Sequence, residues 1–226
     1  MTVIVALTAQ NTVGVTAVQE VAPEFVQAQL DAVFSDIGVD AAKTGMLFSR
    51  PLIETVADFL EQHPVPLVVD PVMVSASGAQ LLQDAAVEAL VTRLFPLATV
   101  VTPNLHEAQA LAELDTEDRG VLAECVHALG APAVLVTGGH GERAMDHLFT
   151  SGRHVEIPVE RVDVPATHGA GCTHSATLAA LLARRHSLEE AARGAADAAA
   201  DAVVHGLAEL GAGEGPVDVL HIHATR

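Results

Sequence analysis

The stretch Thr167-His168-Gly169-Ala170-Gly171-Cys172-Thr173 is followed by a run of small residues, 175–180. Two glycines around an alanine bring Cys172 to the first turn of a predicted apolar helix, where several backbone N–H groups can converge on one point. Such a turn can bind an anion, and the helix dipole lowers the pKa of a thiol placed there. The stretch therefore predicts donors for a developing negative charge beside a possible general base. The alternative is a tightly packed turn in which Cys172 is a small buried apolar residue.

The composition predicts one α/β domain over residues 1–226. Half of the chain is hydrophobic, but only 3% is aromatic and there is no Trp or Tyr, so the core must consist of Ala, Val and Leu. Apolar runs are short, and residues 1–5 contain no basic segment or cleavage site. We therefore expect a soluble, cytoplasmic protein.

The net charge is −18, and Lys43 is the only lysine of the chain. Nucleic acids and anionic membranes bind clustered Lys and Arg, so we expect neither as a partner. An acidic, lysine-poor surface also suits a cytoplasm of high salt, where screening weakens self-repulsion. That hypothesis predicts that stability does not fall as the KCl concentration is raised.

Cysteine and histidine patterns indicate no metal site. Cys125 and Cys172 are too few for a disulfide framework or a cysteine-based centre. The twelve histidines show no H-E-x-x-H or comparable spacing. We expect His221 and His223 to be solvated, in a loose tail formed by residues 211–226.

Strand and helix patterns alternate along the chain, which predicts a three-layer α/β/α domain with a mostly parallel central sheet. Strands are predicted at 3–7, 41–46, 66–73, 98–101 and 133–140, with a hairpin at 146–149 and 154–157. Helices are predicted at 23–37, 49–62, 79–94, 118–129 and 187–210. Two more are predicted, one that begins after Asn104 and one that begins just before Cys172. The first helix is expected to bury an apolar face made of Phe25, Leu30, Val33, Phe34 and Ile37.

Polar residues follow several predicted strands, at the place where open α/β sheets bind ligands. Gln10 could hydrogen-bond a heteroaromatic or amide group, or could face water. Asp70 closes the clearest buried strand, so we expect it to serve a ligand, a metal or a loop. Asn104 and Glu107 form a capping-box pattern, and capping alone could explain both. Lys43 also stands at a strand end, where an ordinary surface role is the alternative.

The predicted strand at 133–140 runs into a turn at Thr137-Gly138-Gly139. A Gly-Gly turn at a strand end lets the backbone approach a phosphate chain closely. The sequence therefore predicts a second anion-binding segment.

Five separated motifs run in order along nearly the whole chain. They are Thr8-Ala9-Gln10-Asn11-Thr12, Lys43-Thr44-Gly45-Met46, Val69-Asp70-Pro71-Val72-Met73, Thr102-Pro103-Asn104-Leu105-His106-Glu107-Ala108 and the 167–173 stretch. Together they resemble the motifs of the hydroxymethylpyrimidine and phosphomethylpyrimidine kinases of thiamine biosynthesis, which have the ribokinase-like fold. The resemblance implies transfer of phosphoryl groups from ATP, with Mg²⁺, to a pyrimidine alcohol and its monophosphate.

The resemblance also implies roles for individual residues. Cys172 would take the proton from the substrate hydroxymethyl group, while the backbone N–H groups of residues 169–171 would face the transferring phosphoryl group. These N–H groups belong to Gly169, Ala170 and Gly171. The resemblance implies a pyrimidine pocket that contains Gln10, Met46 and Val72. The implied ATP and Mg²⁺ site contains Asp70, Asn104, Glu107, Thr137, Gly138 and Gly139, with Asp70 and Glu107 as metal ligands.

The sequence departs from the family pattern in three ways. The family usually opens with a strand and a glycine-rich segment that contacts substrate, and this sequence begins after it, so we expect a unit of ~30 residues to be missing. Thr137 stands where the family often has Lys, which removes one charge that would neutralise phosphate. No second thiamine-related domain follows.

Several alternatives stay open at this point. Pyridoxal kinase is the nearest competing activity, and a thiazole-alcohol kinase is further away. The shortened start also allows a ligand-binding or regulatory remnant without activity, or an α/β fragment with an uncovered sheet edge. The family resemblance further implies a homodimer.

Overall fold

The computed structural model describes residues 1–73, 82, 84–138, 144–159, 164 and 166–222. The strands are β1 Ala6–Gln10, β2 Val15–Glu20, β3 Ala42–Thr44, β4 Leu67–Val69, β5 Val100–Val101, β6 Ala133–Val136, β7 Met145–Thr150 and β8 Arg153–Pro158. The helices are α1 Pro23–Asp36, α2 Arg50–Gln62, α3 Asp84–Ala89, α4 Leu105–Ala112, α5 Arg119–Ala128, α6 Ala170–Ala183 and α7 Leu188–Val204. A π-helical turn, Leu90–Leu94, and a 3-10 turn, Phe95–Leu97, extend α3.

Six of the described strands form the central sheet, in the order β3-β4-β5-β6-β7-β8. Strands β3 to β6 are parallel to one another, and β7 and β8 add an antiparallel hairpin at one edge. The expected mostly parallel sheet is confirmed. Since parallel strands all end on the same side, the loops after β3, β4, β5 and β6 meet along one edge of the sheet.

Alternate residues of the short central strands face opposite sides of the sheet. Leu67 and Val69 of β4 pack with helices α1 to α5, whereas Val68 packs with α6 and α7. All three are essentially inaccessible to solvent. The sheet is therefore covered on both faces, and the three-layer α/β/α architecture is confirmed.

The N-terminal segment differs from the prediction. We expected a buried strand at 3–7 followed by a polar loop, but β1 pairs antiparallel with β2 in a separate two-stranded sheet. Four of the five β1 residues are exposed, and Gln10 is the last residue of the strand. The turn at 11–14 explains the difference, because Asn11 Oδ1 accepts hydrogen bonds from the N–H groups of Val13 and Gly14 and reverses the chain.

Two helices differ from their predicted form. In α1 the buried residues are Val26 and Leu30, whereas Phe25 and Ile37, which we expected on the apolar face, are 63% and 61% exposed. Helix α7 ends at Val204 instead of near residue 210, because the segment after it turns back and Leu207 N–H bonds to the carbonyl of Pro216.

Residues 213–218 lie against the 167–173 turn. His168 N–H donates to the carbonyl of Gly215, and Val217 N–H donates to the carbonyl of His168. Gly213 N–H reaches Thr12 Oγ1 at the tip of the β1–β2 hairpin. Part of the segment that we expected to be loose is thus hydrogen-bonded to both neighbours. Across the described ranges, we find no helix with the length and apolar character needed to cross a bilayer.

Candidate active site

Strands β3 and β4 bring Lys43 and Asp70 to the same edge of the sheet, where α6 packs on both strands. Lys43 Nζ lies 3.5 Å from Asp70 Oδ2 and donates a hydrogen bond of 3.0 Å to Ser175 Oγ. Ser175 Oγ in turn donates to Asp70 Oδ2 at 2.8 Å. Burial raises the pKa of the Asp70 carboxyl, and Lys43 and Ser175 oppose that shift. The three side chains form one partly buried polar cluster.

Asn104 and Glu107 form the predicted capping box at the start of α4. Glu107 N–H donates to Asn104 Oδ1, and Glu107 Oε2 accepts from Asn104 N–H at 2.9 Å. The second oxygen, Glu107 Oε1, accepts from Met73 N–H, which lies just after β4. Burial raises the pKa of Glu107 to about 7, and the charge of Asp70 adds to that shift. Glu107 is therefore both a helix cap and a buried carboxyl beside Asp70.

The first turn of α6 carries the predicted anion-binding amides. Gly169 is the N-cap residue at φ 92°, a conformation that favours glycine. Ala170 N–H donates to the carbonyl of Thr167, so Ala170 does not offer the free donor that the resemblance implied. In the described part of the chain, the N–H groups of Gly171 and Cys172 have no hydrogen-bond partner, because the first turn of a helix has no earlier helical turn whose carbonyls could accept them. Gly171 also borders open space.

The environment of Cys172 reverses the predicted direction of the pKa shift of its thiol. The residue is exposed at the helix start, yet neighbouring atoms enclose much of the thiol, and this partial burial raises the pKa of Cys172 above its usual value. Lys43 opposes the shift, whereas the carboxylates of Asp70 and Glu107 add to it. The expected lowering of the pKa is wrong for the chain without ligands, because burial and two nearby negative charges outweigh Lys43.

A buried pair links α6 to the strand-end turn after β6. His174 Nε2 lies 2.9 Å from Asp146 Oδ2, and Asp146 Oδ1 accepts from Gly138 N–H at 2.6 Å. Asp146 and His174 are 3% and 5% exposed. A Cβ at residue 138 would lie 2.1 Å from the carbonyl oxygen of Met145, so only glycine fits there. The pair thus joins the helix of Cys172 to the predicted nucleotide-binding turn.

Only some of the remaining predicted site residues are brought to this edge. Thr137 pairs with Asn104 in an isolated parallel bridge, and Gly139 lies outside the described residues. Met46 and Val72 are half-buried just after the neighbouring strands β3 and β4. Gln10 lies apart from these strands and, with His168, lines a cavity of about 200 Å³ between the hairpin and the glycine turn.

Three residues of this edge, Ser175, Asp146 and His174, were not predicted from the sequence. Ser175 had one usable signal, since it stands three residues after Cys172 and so one helical turn further along. The sequence marks Lys43 as the only lysine but not its partners, because Asp70 and Ser175 lie 27 and 132 positions away. Asp146 and His174 are 28 positions apart in a strand and a helix, and no local pattern joins them.

The donor set suits a hard divalent cation. Asp70 and Glu107 are buried carboxyls close enough for the charge of one to raise the pKa of the other. Carboxylate oxygens are the protein ligands that Mg²⁺ prefers. Asp70 Oδ1 has no hydrogen-bond partner in the described ranges, which leaves one oxygen for a cation. Both residues therefore fit the metal-ligand role that the resemblance implied.

Comparison with solved structures defines the class of protein. The chain superposes on an ADP complex of Bacillus subtilis pyridoxal kinase with a TM-score of 0.85 and 36% identity, over 99% of this chain and 86% of that one. The fold is therefore that of a kinase with the ribokinase-like fold.

Sequence comparison narrows the class to a family. The profile of the family "Phosphomethylpyrimidine kinase" matches residues 1–218, so the chain belongs to that family. The hydroxymethylpyrimidine/phosphomethylpyrimidine kinase of Rhizobium meliloti is 47% identical over 97% of this chain and 85% of its own length. The enzyme of the same name from Salmonella typhimurium is 43% identical over 98% of this chain and 86% of its own length.

Proposed function

We propose that this chain transfers phosphoryl groups from ATP to the hydroxymethyl group of 4-amino-5-hydroxymethyl-2-methylpyrimidine and to the phosphate of the resulting monophosphate. Membership of the family supports the reaction and the substrate class. The single structural observation that carries the proposal is the meeting of an exposed Cys172 and two unpaired amides with Asp70 and Glu107 at one edge of the sheet.

Each part of this site has a role in phosphoryl transfer. Cys172 Sγ accepts the proton of the substrate hydroxyl, and the amides of Gly171 and Cys172 stabilise negative charge on the transferring group. Asp70 and Glu107 hold Mg²⁺, which neutralises charge on the phosphates. Asp70 and Glu107 raise the pKa of Cys172 through their negative charges. With a cation between them that effect would weaken, so a larger fraction of Cys172 would be the thiolate that can accept the proton.

Lys43 and Ser175 position Asp70. Both contact Asp70 Oδ2, which opposes the rise of the Asp70 pKa caused by burial and leaves its Oδ1 for the metal. We assign nucleotide contacts to Thr137 and Gly138, and the family resemblance implies the same role for Gly139, which lies outside the described residues. We assign the pyrimidine contacts to Gln10, Met46 and Val72, of which Gln10 lies apart from the other two, in the cavity between the β1–β2 hairpin and the glycine turn.

The proposal is tested with the purified chain, ATP and Mg²⁺, by following ADP formation with the pyrimidine alcohol, its monophosphate and pyridoxal in parallel. We expect kcat/KM for the pyrimidine alcohol to exceed that for pyridoxal by ~100-fold. Turnover with pyridoxal alone would assign the second candidate activity, which the likeness to Bacillus subtilis pyridoxal kinase favours. Substrate binding without ADP release would indicate a ligand-binding remnant.

We also propose a homodimer, as the family resemblance implies. The β1–β2 hairpin exposes 54% of Leu7 and 64% of Val13, which offers apolar surface to a second copy. Light scattering coupled to gel filtration measures the mass directly. Repeating it with KCl from low to molar concentration, beside thermal melts, tests the proposed adaptation of the acidic surface to high salt.

A further inference from the structure

A second group of side chains that can bind a metal lies at the end of α7, to which the C-terminal segment returns. This place is away from the sheet edge. Asp201 belongs to α7, His205 caps its C-terminus, and His221 comes from the returning segment. One ligand atom from each lies within 4.8 Å of the other two. We propose that Asp201, His205 and His221 form a site for a divalent transition metal such as Zn²⁺ or Co²⁺, distinct from the Mg²⁺ site.

The distances suit a tetrahedral ion. His221 Nε2 lies 2.8 Å from Asp201 Oδ2, and His205 Nδ1 lies 3.5 Å from Asp201 Oδ1. Two ligand atoms that are each 2.0–2.1 Å from a tetrahedral Zn²⁺ are ~3.3 Å from each other. One of the two distances to Asp201 is shorter than this value and the other is longer. Two imidazoles and one carboxylate leave a fourth position for water. This is a ligand set that Zn²⁺ uses in proteins.

The rings of His205 and His221 are stacked with their centroids 4.0 Å apart, so the His205 ring has to turn before both imidazoles can bind one ion. His205 Nδ1 lies 2.9 Å from the carbonyl oxygen of Asp201. That carbonyl also accepts a hydrogen bond from the backbone N–H of His205, so it still has a hydrogen-bond partner when the ring turns to a metal. The side chains of Asp201, His205 and His221 are 55%, 38% and 42% exposed, so an ion can enter from solvent. The net charge of −18 further favours a cation.

The site joins the end of α7 to a segment that follows it closely, since Asp201 and His221 are 20 positions apart. Asp218 N–H bonds to the carbonyl of Ala202, which brings His221 over the end of α7. The same returning segment pairs with His168, next to the glycine turn of the candidate active site. A bound metal therefore fastens the C-terminal segment to α7, and through it supports the turn that precedes Cys172.

The test uses the full chain in buffer with excess Mg²⁺. Binding of Co²⁺ is followed by the visible absorption of the ion, and binding of Zn²⁺ by calorimetry. Imidazole ligands select these ions over Mg²⁺. We expect one equivalent of Co²⁺ with the intense bands of a tetrahedral site. His205→Ala and His221→Ala should each weaken binding ~10-fold or more, whereas His186→Ala, an exposed histidine elsewhere, should bind like the unchanged chain.

Folding of the variants is checked by thermal melts without metal, which should match the unchanged chain because all three ligands are exposed. Hydrogen exchange adds a second readout, since Zn²⁺ should slow exchange at the amides of Val217 and Asp218. The inference is overturned if the His205→Ala/His221→Ala double variant keeps the affinity of the unchanged chain, or if no Co²⁺ binds at millimolar concentration.

Discussion

Ser175 Oγ donates a hydrogen bond of 2.8 Å to Asp70 Oδ2, which joins residues 105 positions apart in the sequence. This bond ties the helix that begins with the glycine turn to the carboxyl end of strand β4. Because Lys43 contacts both partners, the proposed base and the proposed metal ligand share one supporting cluster.

Lys43 and Asp70 should therefore be energetically coupled. Lys43→Met leaves a buried carboxylate without its counter-charge, and we expect a loss of ~3 kcal/mol in the free energy of unfolding. Asp70→Asn in the same chain should recover part of that loss, because the amide carries no charge. Urea unfolding of the two single variants and the double variant completes a double-mutant cycle. Strictly additive losses would show that the two side chains are independent.

Cys172→Ala should lower kcat by ~100-fold or more, the usual contribution of a general base. Its affinity for ADP should stay within about twofold, since only the thiol is removed. Steady-state kinetics and calorimetry measure the two quantities. Cys125→Ala is the matched control, because Cys125 is the second free cysteine and lies in α5. Full activity of Cys172→Ala would end the assignment of the base.

Glu107 should make the chain less stable as the pH rises. Its pKa is raised from 4.5 to about 7 in the folded state, so its stabilising protonation is complete below pH 4.5 and is lost as the pH rises through 7. At 1.36 kcal/mol per unit the shift corresponds to about 3 kcal/mol. Glu107→Gln should flatten this part of the curve of unfolding free energy against pH.

The control for this pH experiment is Glu24→Gln, which changes an exposed carboxylate in the first turn of α1. Its curve should follow that of the unchanged chain. Addition of Mg²⁺ at pH 7 should release protons from the unchanged chain and not from Glu107→Gln, which a weakly buffered pH-indicator assay detects. An unchanged slope in Glu107→Gln would assign the pH dependence to other groups.

His174→Leu should destabilise the chain by ~3 kcal/mol, because it leaves the buried carboxylate of Asp146 without its partner. Adding Asp146→Asn should recover more than half of the loss, since the amide oxygen can still accept the bond from Gly138 N–H. Urea unfolding measures both effects. His186→Leu, at an exposed position, should leave stability within about 0.5 kcal/mol. Equal losses in the single and double variants would contradict a stabilising contact between the two side chains.

Much of the fold could be predicted from local patterns. The alternation of strands and helices, the capping box at Asn104 and Glu107, and the hairpin of β7 and β8 all depend on residues close together in sequence. The N-terminal hairpin was missed because Leu7 and its neighbours resemble a buried strand, while their exposure depends on what the rest of the chain covers.

By itself, the sequence determined the three-layer α/β/α class, the positions of the five motifs and the family, because periodicity and motif spacing are written along the chain. Only the tertiary structure decided that Ser175 and Lys43 support Asp70, that His221 meets Asp201, and that the pKa of Cys172 is raised rather than lowered. These properties depend on burial and on charges brought together from distant strands and helices. The Cys172 turn shows the division best: its seven residues predict the anion-binding amides, whereas the neighbours that set its acidity come from β3, β4 and α4.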